Sequence, residues 1–324
     1  MTAKRFTHIG DITGEKPFLK FTEVKIKVPW GHVSGKWYGS QRVRPVVCLH
    51  GWMDNAGSFD TLIPLLSRHL SFLAIDLPGH GLSSHLPSGL YYNSNESIFL
   101  LKILMQHYGW EKISLMGHSM GSIINFAFAA MYPDKIDLAA CFDLMKPPQS
   151  DVSSQIDAAR VIMDGFLEQN NRNNSGEEPK SYTMEDILER VHVGSFNSIE
   201  KKCCPHLLAR NAQRSSLDSE KFFFTRDRRL KHYNYESTSQ ELVNEMAKRI
   251  TCPYLFIKSS ESSCFEDEEL YEETKTCLKE NPLFQYVVAE GTHHLLVNNP
   301  EKVCEVINSF ICKYRPQDIP TSRL

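Results

Sequence analysis

Ile113-Ser114-Leu115-Met116-Gly117-His118-Ser119-Met120-Gly121 runs from an apolar tetrad into a G-x-S-x-G pentad. The tetrad predicts a buried strand, and Ser122 to Met131, stopped by Pro133, predicts the helix that follows. Between a strand and a helix this pattern puts the serine on a strained turn, with its hydroxyl lifted above the edge of a sheet. Small residues at Gly117 and Gly121 let neighbouring backbone come close. A plain helix N-cap would account for Ser119 but not for both glycines. Ser119 is therefore the candidate nucleophile.

Two further loops fit such a centre. Upstream, Val46-Val47-Cys48-Leu49 has no alternation, as expected of a strand buried on both faces, and His50-Gly51-Trp52 follows it. The backbone N–H groups of Trp52 and Met120 are the candidate oxyanion donors, and His50 is expected to orient the loop. Downstream, Gly291-Thr292-His293-His294 follows the last strand, Phe284 to Ala289. A general base comes after the nucleophile in this kind of chain order. His293 is preferred to His294 for its spacing from Gly291 and Pro300.

Strands expected over Lys20–Val28, Val33–Tyr38, Val46–Leu49, Phe72–Ile75, Ile113–Met116, Leu138–Phe142, Pro253–Ile257 and Phe284–Ala289 alternate with helices over Phe59–Leu66, Ser94–Tyr108, Ser122–Met131, Gln240–Arg249 and Pro300–Lys313. That rhythm predicts an α/β fold with a mainly parallel sheet covered on both faces. It breaks at Pro147-Pro148, where a long stretch shows helical periodicity and no clear strand, with a polar loop over Asn170–Gly176. The expected organisation is a loosely held extension over 1–18, a core over 19–145 and 236–324, and a helical cap over 146–235 inserted after strand six.

Lys plus Arg number 36 against 39 Asp plus Glu, a net charge of −3, which is not the footprint of a nucleic-acid binder. No apolar run is long enough to span a membrane. Nine cysteines, an odd number with several inside apolar runs, are expected to be free thiols in a reducing compartment. Cys203-Cys204-Pro205-His206 lacks a second ligand pair, so no metal is expected there. Thr13-Gly14-Glu15-Lys16-Pro17-Phe18 reads like a zinc-finger linker without fingers to join, and is expected to be a turn. The ending Ser322-Arg323-Leu324 is one conservative change from the S-K-L peroxisomal address, so an import receptor is a candidate partner and the expected location is cytoplasmic, peroxisomal or both.

His50-Gly51-Trp52-Met53-Asp54-Asn55, Ser58-Phe59, Asp76-Leu77-Pro78-Gly79-His80-Gly81-Leu82-Ser83-Ser84 and Gly117 to Gly121 resemble the α/β-hydrolase superfamily, and more narrowly the serine hydrolase-like proteins of animals. Phe224-Thr225-Arg226-Asp227-Arg228-Arg229-Leu230 resembles the same group. The likeness covers roughly 20–313 and implies a hydrolase fold with a cap after strand six. The pattern departs at the orienting acid. Its usual register after strand seven falls on Ser262, with Glu261 one residue early and Ser259 in place of a glycine. Asp143, closing strand six, is the preferred acid; Glu261, Glu266 and Asp267 remain alternatives. Asp54, Asn55, Asp76 and His80 are expected to build loops.

The expected activity is a serine hydrolase acting on a small or medium apolar ester, with Ser119, His293 and Asp143 as the triad and no cofactor or metal. Phe166, Phe196 and Phe222-Phe223-Phe224 are the expected apolar lining. The alternative is a non-catalytic or weakly catalytic ligand-binding protein on the same fold. A serine at the elbow argues against epoxide or halide chemistry, which needs an aspartate there.

Overall fold

A computed structural model describes residues 6, 8–14, 19–149, 152–232, 238–263 and 265–315 of the chain. Eight strands form one sheet: β1 Phe21–Val28, β2 Gly31–Tyr38, β3 Val46–Leu49, β4 Phe72–Ile75, β5 Ile113–His118, β6 Ile136–Phe142, β7 Tyr254–Ser259 and β8 Phe284–Ala289. Their spatial order is β1-β2-β4-β3-β5-β6-β7-β8. β2 pairs antiparallel with β1 and β4, and every later pair is parallel.

Alternation along the strands divides the interior in two, because successive side chains point to opposite faces. Val47 and Leu49 of β3 and Leu115 of β5 face one core, closed by helices α1 Ser94–Tyr108, α2 Met120–Met131, α5 Gln240–Arg249 and α6 Glu268–Lys279. Val46, Cys48 and Met116 face the other, closed by the terminal helix α7 Cys304–Tyr314 and the short turns after β3 and β8. Burial on both faces explains why β3 reads as a continuous apolar run.

Between β6 and α5 lie α3 Val152–Asn174, α4 Met184–Gly194, three short helical turns and a hairpin of Ala212–Arg214 with Phe222–Phe224. The hairpin corrects the expectation of a strand-free segment. Three-residue strands are too short to show a period, so only the β-favouring Phe222-Phe223-Phe224 hinted at it. α3 also runs through Asn170–Asn174, where a polar loop was expected. Those asparagines have partners: Asn170 Oδ1 accepts from Gly89 N at 3.0 Å, and Asn173 Nδ2 donates to Asp227 Oδ1 at 2.6 Å. The helix expected over Phe59–Leu66 is instead two 3₁₀ turns, Ala56–Phe59 and Ile63–Leu65, with Pro64 in the second. α6 was not anticipated: only Tyr271, Thr274 and Leu278 are buried in an otherwise charged helix.

Buried charges tie this segment to the sheet. Arg210 is fully buried and donates to both Asp76 (Nη2–Oδ2 2.6 Å), at the end of β4, and Glu23 (Nη1–Oε2 2.7 Å) on β1. Asp227 accepts from Tyr92 Oη at 2.8 Å and from Arg229 Nη2 at 2.7 Å. Phe6 is buried and packs against Phe222 with ring centroids 5.4 Å apart. Every described cysteine carries a free thiol. No helix of the described residues is long and apolar enough to cross a membrane. Thr13-Gly14 ends a single helical turn; Glu15 to Phe18 and Ser322-Arg323-Leu324 lie outside the described residues.

Candidate active site

β5 ends at His118 and α2 begins at Met120, which leaves Ser119 alone on the turn between them. Its backbone is at φ 53°, ψ −116°, a conformation that costs an ordinary L-residue on the order of 1–3 kcal/mol. Two close approaches hold it there. A Cβ on Gly121 would lie 2.1 Å from Leu49 O, and one on Gly117 would lie 2.4 Å from Gly121 O, so both positions exclude a side chain. Ser119 N donates to Phe142 O at 2.9 Å, which fastens the turn to the end of β6.

The loop after β8 brings His293 to this turn. His293 Nε2 lies 2.9 Å from Ser119 Oγ, and His293 Nδ1 lies 2.5 Å from Asp143 Oδ2. Asp143 directly follows β6, at φ 67°. Its other oxygen accepts from Ser259 N at 2.9 Å and Lys258 Nζ at 2.8 Å, so β7 clamps the carboxylate from the far side. Lys258 Nζ also donates to Ser262 O and Ser263 O, which fixes the loop after β7 over the same lysine.

The other candidate acids are elsewhere. Glu261 is exposed, and its backbone N–H donates to Gly291 O at 3.0 Å. Glu266 is paired with Lys146. Asp267 caps α6 by accepting from Glu269 N at 2.9 Å. Asp143 is the carboxylate that meets His293.

Electrostatics follow from burial and these contacts. Burial alone would raise Asp143, but the hydrogen bond and charge of His293 and the Lys258 ammonium outweigh it and leave the carboxyl at about 2. Burial pulls His293 down to about 4, with the Asp143 bond opposing and His118 and His294 adding to the fall. At neutral pH the pair is carboxylate and neutral imidazole, so with the Nδ1 proton held by Asp143 the Nε2 lone pair faces Ser119.

His50 behaves as expected of a loop organiser. Its Nδ1 donates to Gly51 O at 2.7 Å and its Nε2 accepts from Leu77 N at 3.0 Å. Trp52 Nε1 donates to Leu230 O at 2.7 Å, which pins the loop to the inserted segment. Met53 sits at φ 66° and donates its N–H to His80 Nε2. The backbone N–H groups of Trp52 and Met120 have no acceptor among the described residues.

Three features escaped sequence reasoning. The first is Lys258; a lysine directly after the apolar run Tyr254 to Ile257, still within the strand, was the available signal. The second is His118, whose Nε2 donates to His293 O at 2.8 Å and so holds the His293 loop from behind. The third is a buried group of Asp54, His118 and His294, whose ligating atoms all lie within 4.8 Å of one another, the one cluster of possible metal ligands among the described residues. Ser198 and Asp54 flank His294 (Nδ1–Oγ 2.6 Å, Nε2–Oδ2 3.4 Å), so His294 points away from Ser119. Cys203 and Cys204 donate to separate backbone carbonyls.

The aromatic residues expected to line a pocket mostly pack. Phe166 stacks on Tyr91 at 3.9 Å, Phe222 lies on Phe6, Phe223 is buried, and Phe196 is 88% exposed. Phe224 lines a cavity of about 730 Å³ that also reaches Met53; the other four are not among its lining residues.

Comparison with known proteins agrees with this geometry. The family described as "alpha/beta hydrolase fold" matches residues 44–300, a span that holds the strands β3 to β8 and all three side chains around Ser119. A "Probable serine hydrolase" of Drosophila melanogaster is 33% identical over 291 residues, 89% of this chain and 87% of that one. A "Serine hydrolase-like protein" of Danio rerio is 32% identical over 297 residues, 91% and 90% of the two chains. Among solved structures, a hypothetical protein of Pseudomonas aeruginosa PAO1 shares the fold at a TM-score of 0.76 and 24% identity, over 90% of this chain and 99% of its own. The chain is a hydrolase of the α/β-hydrolase fold family and belongs with the serine hydrolase-like proteins of animals.

Proposed function

We propose that the protein hydrolyses carboxylic esters through an acyl-enzyme on Ser119. One observation carries the reading: two hydrogen bonds run in line from Ser119 Oγ through His293 to Asp143, at 2.9 and 2.5 Å. Asp143 holds the Nδ1 proton, so Nε2 is free to accept. Ser119 Oγ attacks the ester carbonyl while His293 Nε2 takes its proton. The N–H groups of Trp52 and Met120 donate to the developing oxyanion, each worth roughly 3 kcal/mol of transition-state stabilisation. His293 passes the proton to the leaving alkoxide. Water then gives a proton to His293 and cleaves the acyl-enzyme, releasing the acid and restoring Ser119. The scheme uses the protein's own side chains and backbone N–H groups together with water. Residues 146–235 serve as a cap over the pocket, on a core of 19–145 and 236–324.

A fluorophosphonate probe tests the reading by covalent capture. A single adduct on Ser119, formed more slowly in the presence of an ester that the protein turns over, is the expected result. Adducts elsewhere only, or none, would overturn it.

The base acts in its neutral form, so activity is held above the His293 pKa and lost as pH falls through it. The acid limb of kcat/KM is therefore expected near pH 4, well below the 6.5 of an ordinary histidine. Lys258→Met removes a cation from beside Asp143 and should move that limb upward. A wild-type limb at 6.5, or no movement in Lys258→Met, contradicts this account.

Peroxisomal import through Ser322-Arg323-Leu324 belongs to the same reading. In a chain ending at Leu324, an amino-terminal fluorescent fusion is expected to give puncta that deletion of Leu324 disperses. Diffuse fluorescence from both chains removes the import step.

A further inference from the structure

We propose that the substrate carries an anionic group, carboxylate or phosphate, that docks on Arg226, Arg228 and Lys231 in the cavity beside Met53. The inference rests on the serine-hydrolase reading above and names a substrate class for it; the cavity reaches the candidate oxyanion loop at Met53, and neither Ser119 nor His293 is among its lining residues.

The cavity of about 730 Å³ lies between the loop after β3, through Met53, and the inserted segment, through α4, Tyr182 and the stretch 224–231. That volume is in the range of small-molecule sites, about 300–1,000 Å³. Its far wall is fixed relative to the candidate oxyanion loop, because Trp52 Nε1 donates to Leu230 O and Asp227 N donates to Gly79 O at 2.8 Å. A ligand filling the cavity would therefore have one end next to the residue that follows Trp52.

The charges on the wall are unbalanced. Lys180, Arg190, Arg226, Arg228 and Lys231 line the cavity, and among the described residues none of them forms an ion pair. Arg190 instead lies over Tyr182 at 4.1 Å and Arg226 over Phe224 at 4.2 Å, which leaves the guanidinium edges free to donate. The lining acids are mostly engaged elsewhere: Asp227 with Arg229, Glu189 with Lys201 and Glu178 with Ser215 and Ser216. Burial, and then the charges of Arg226, Arg228 and Arg172, lower the Lys231 pKa, as expected where cations crowd together. Solvated surface cations scatter and pair; these converge on one concave wall with aromatic backing. Arginine forks suit a carboxylate or phosphate, which they can bind in bidentate fashion.

Two esters with acyl chains of equal length decide the matter: 4-nitrophenyl valerate and mono-4-nitrophenyl glutarate, which replaces the terminal methyl by a carboxylate. In the wild type, kcat/KM is expected to favour the glutarate by on the order of 10-fold or more, the scale of a hydrogen bond to a charged group. Arg226→Glu, and the milder Arg228→Gln combined with Lys231→Gln, should each lower that ratio by a similar factor. The ratio is unaffected by a partly unfolded sample, because both esters see the same active fraction. Inhibition of valerate turnover by free glutarate and by inorganic phosphate ranks the two anion types, and should weaken in Arg226→Glu. Where neither ester turns over, a neutral and a carboxylate-bearing fluorophosphonate give the same ratio from labelling rates. A wild-type ratio at or below one, or a ratio unchanged in Arg226→Glu, overturns the anion site while Ser119-dependent turnover stands. Turnover that survives loss of the Ser119 hydroxyl overturns the reading beneath it.

Discussion

Ser119→Ala is expected to lower ester turnover about a million-fold and to abolish fluorophosphonate labelling, the scale seen when a hydrolase of this type loses its nucleophile. The size of the effect follows from the turn itself. Ser119 stands alone between β5 and α2, with no second hydroxyl on the neighbouring residues His118 and Met120 to take its place. Structure should survive the change. The side chain is nearly buried but bonds only to His293, and alanine fits the same backbone, so thermal stability should move by no more than about 1 kcal/mol. Steady-state hydrolysis of an activated ester, with a melting curve on the same sample, separates loss of chemistry from loss of fold. Unchanged turnover would remove the nucleophile from Ser119.

Asp143→Asn is expected to lower turnover about 10⁴-fold while leaving slow probe labelling detectable. The amide can donate to His293 Nδ1 and so hold the tautomer whose Nε2 carries the proton, which cannot accept from Ser119. It also loses the charge that stabilises the imidazolium during attack. Lys258 makes the outcome more severe here. Its ammonium and the Ser259 N–H face Asp143 Oδ1, so the oxygen of an asparagine is drawn to that side and its NH₂ is turned toward His293. Glu261→Gln is the control: that residue is exposed and away from His293, and its turnover should match the wild type. Full activity in Asp143→Asn together with loss in Glu261→Gln would transfer the role to the loop after β7.

Much of this arrangement was legible because it is local. The strand, turn and helix around Ser119 lie within about twenty consecutive residues, and each glycine there answers to a contact visible in the fold. The placement of His293 beside Ser119 could be anticipated from chain order and from its glycine. The acid required a different argument: the usual register was empty, and only the end of β6 offered a carboxylate at the right edge. What stayed hidden is non-local. Lys258 bonds to Asp143 across 115 positions of sequence, and His118 reaches the His293 carbonyl across 175. The charged cavity wall joins the cluster Arg226, Arg228 and Lys231 to Arg190 on α4 and Lys180, which stand tens of residues away in the sequence. The helix α6 was legible but was passed over: Leu270, Tyr271, Thr274, Cys277 and Leu278 recur at helical spacing among its charged residues.

The bridge made by Arg210 also bears on how the inserted segment moves. Arg210 and Asp76 are both fully buried, and the same guanidinium reaches Glu23, so one side chain holds the first strand, the fourth strand and the inserted segment at a single point. Lifting the whole segment as a rigid lid would leave a carboxylate stranded in the interior, at a cost of about 3–5 kcal/mol. Such an excursion is populated about a hundred to a few thousand times less often than one that leaves the bridge intact. On the capped reading proposed above, opening is expected to come from α3 and α4 moving against a fixed pivot. The hairpin beside Arg210 is then expected to exchange its amide protons as slowly as the sheet does, and fast exchange there would contradict the pivot.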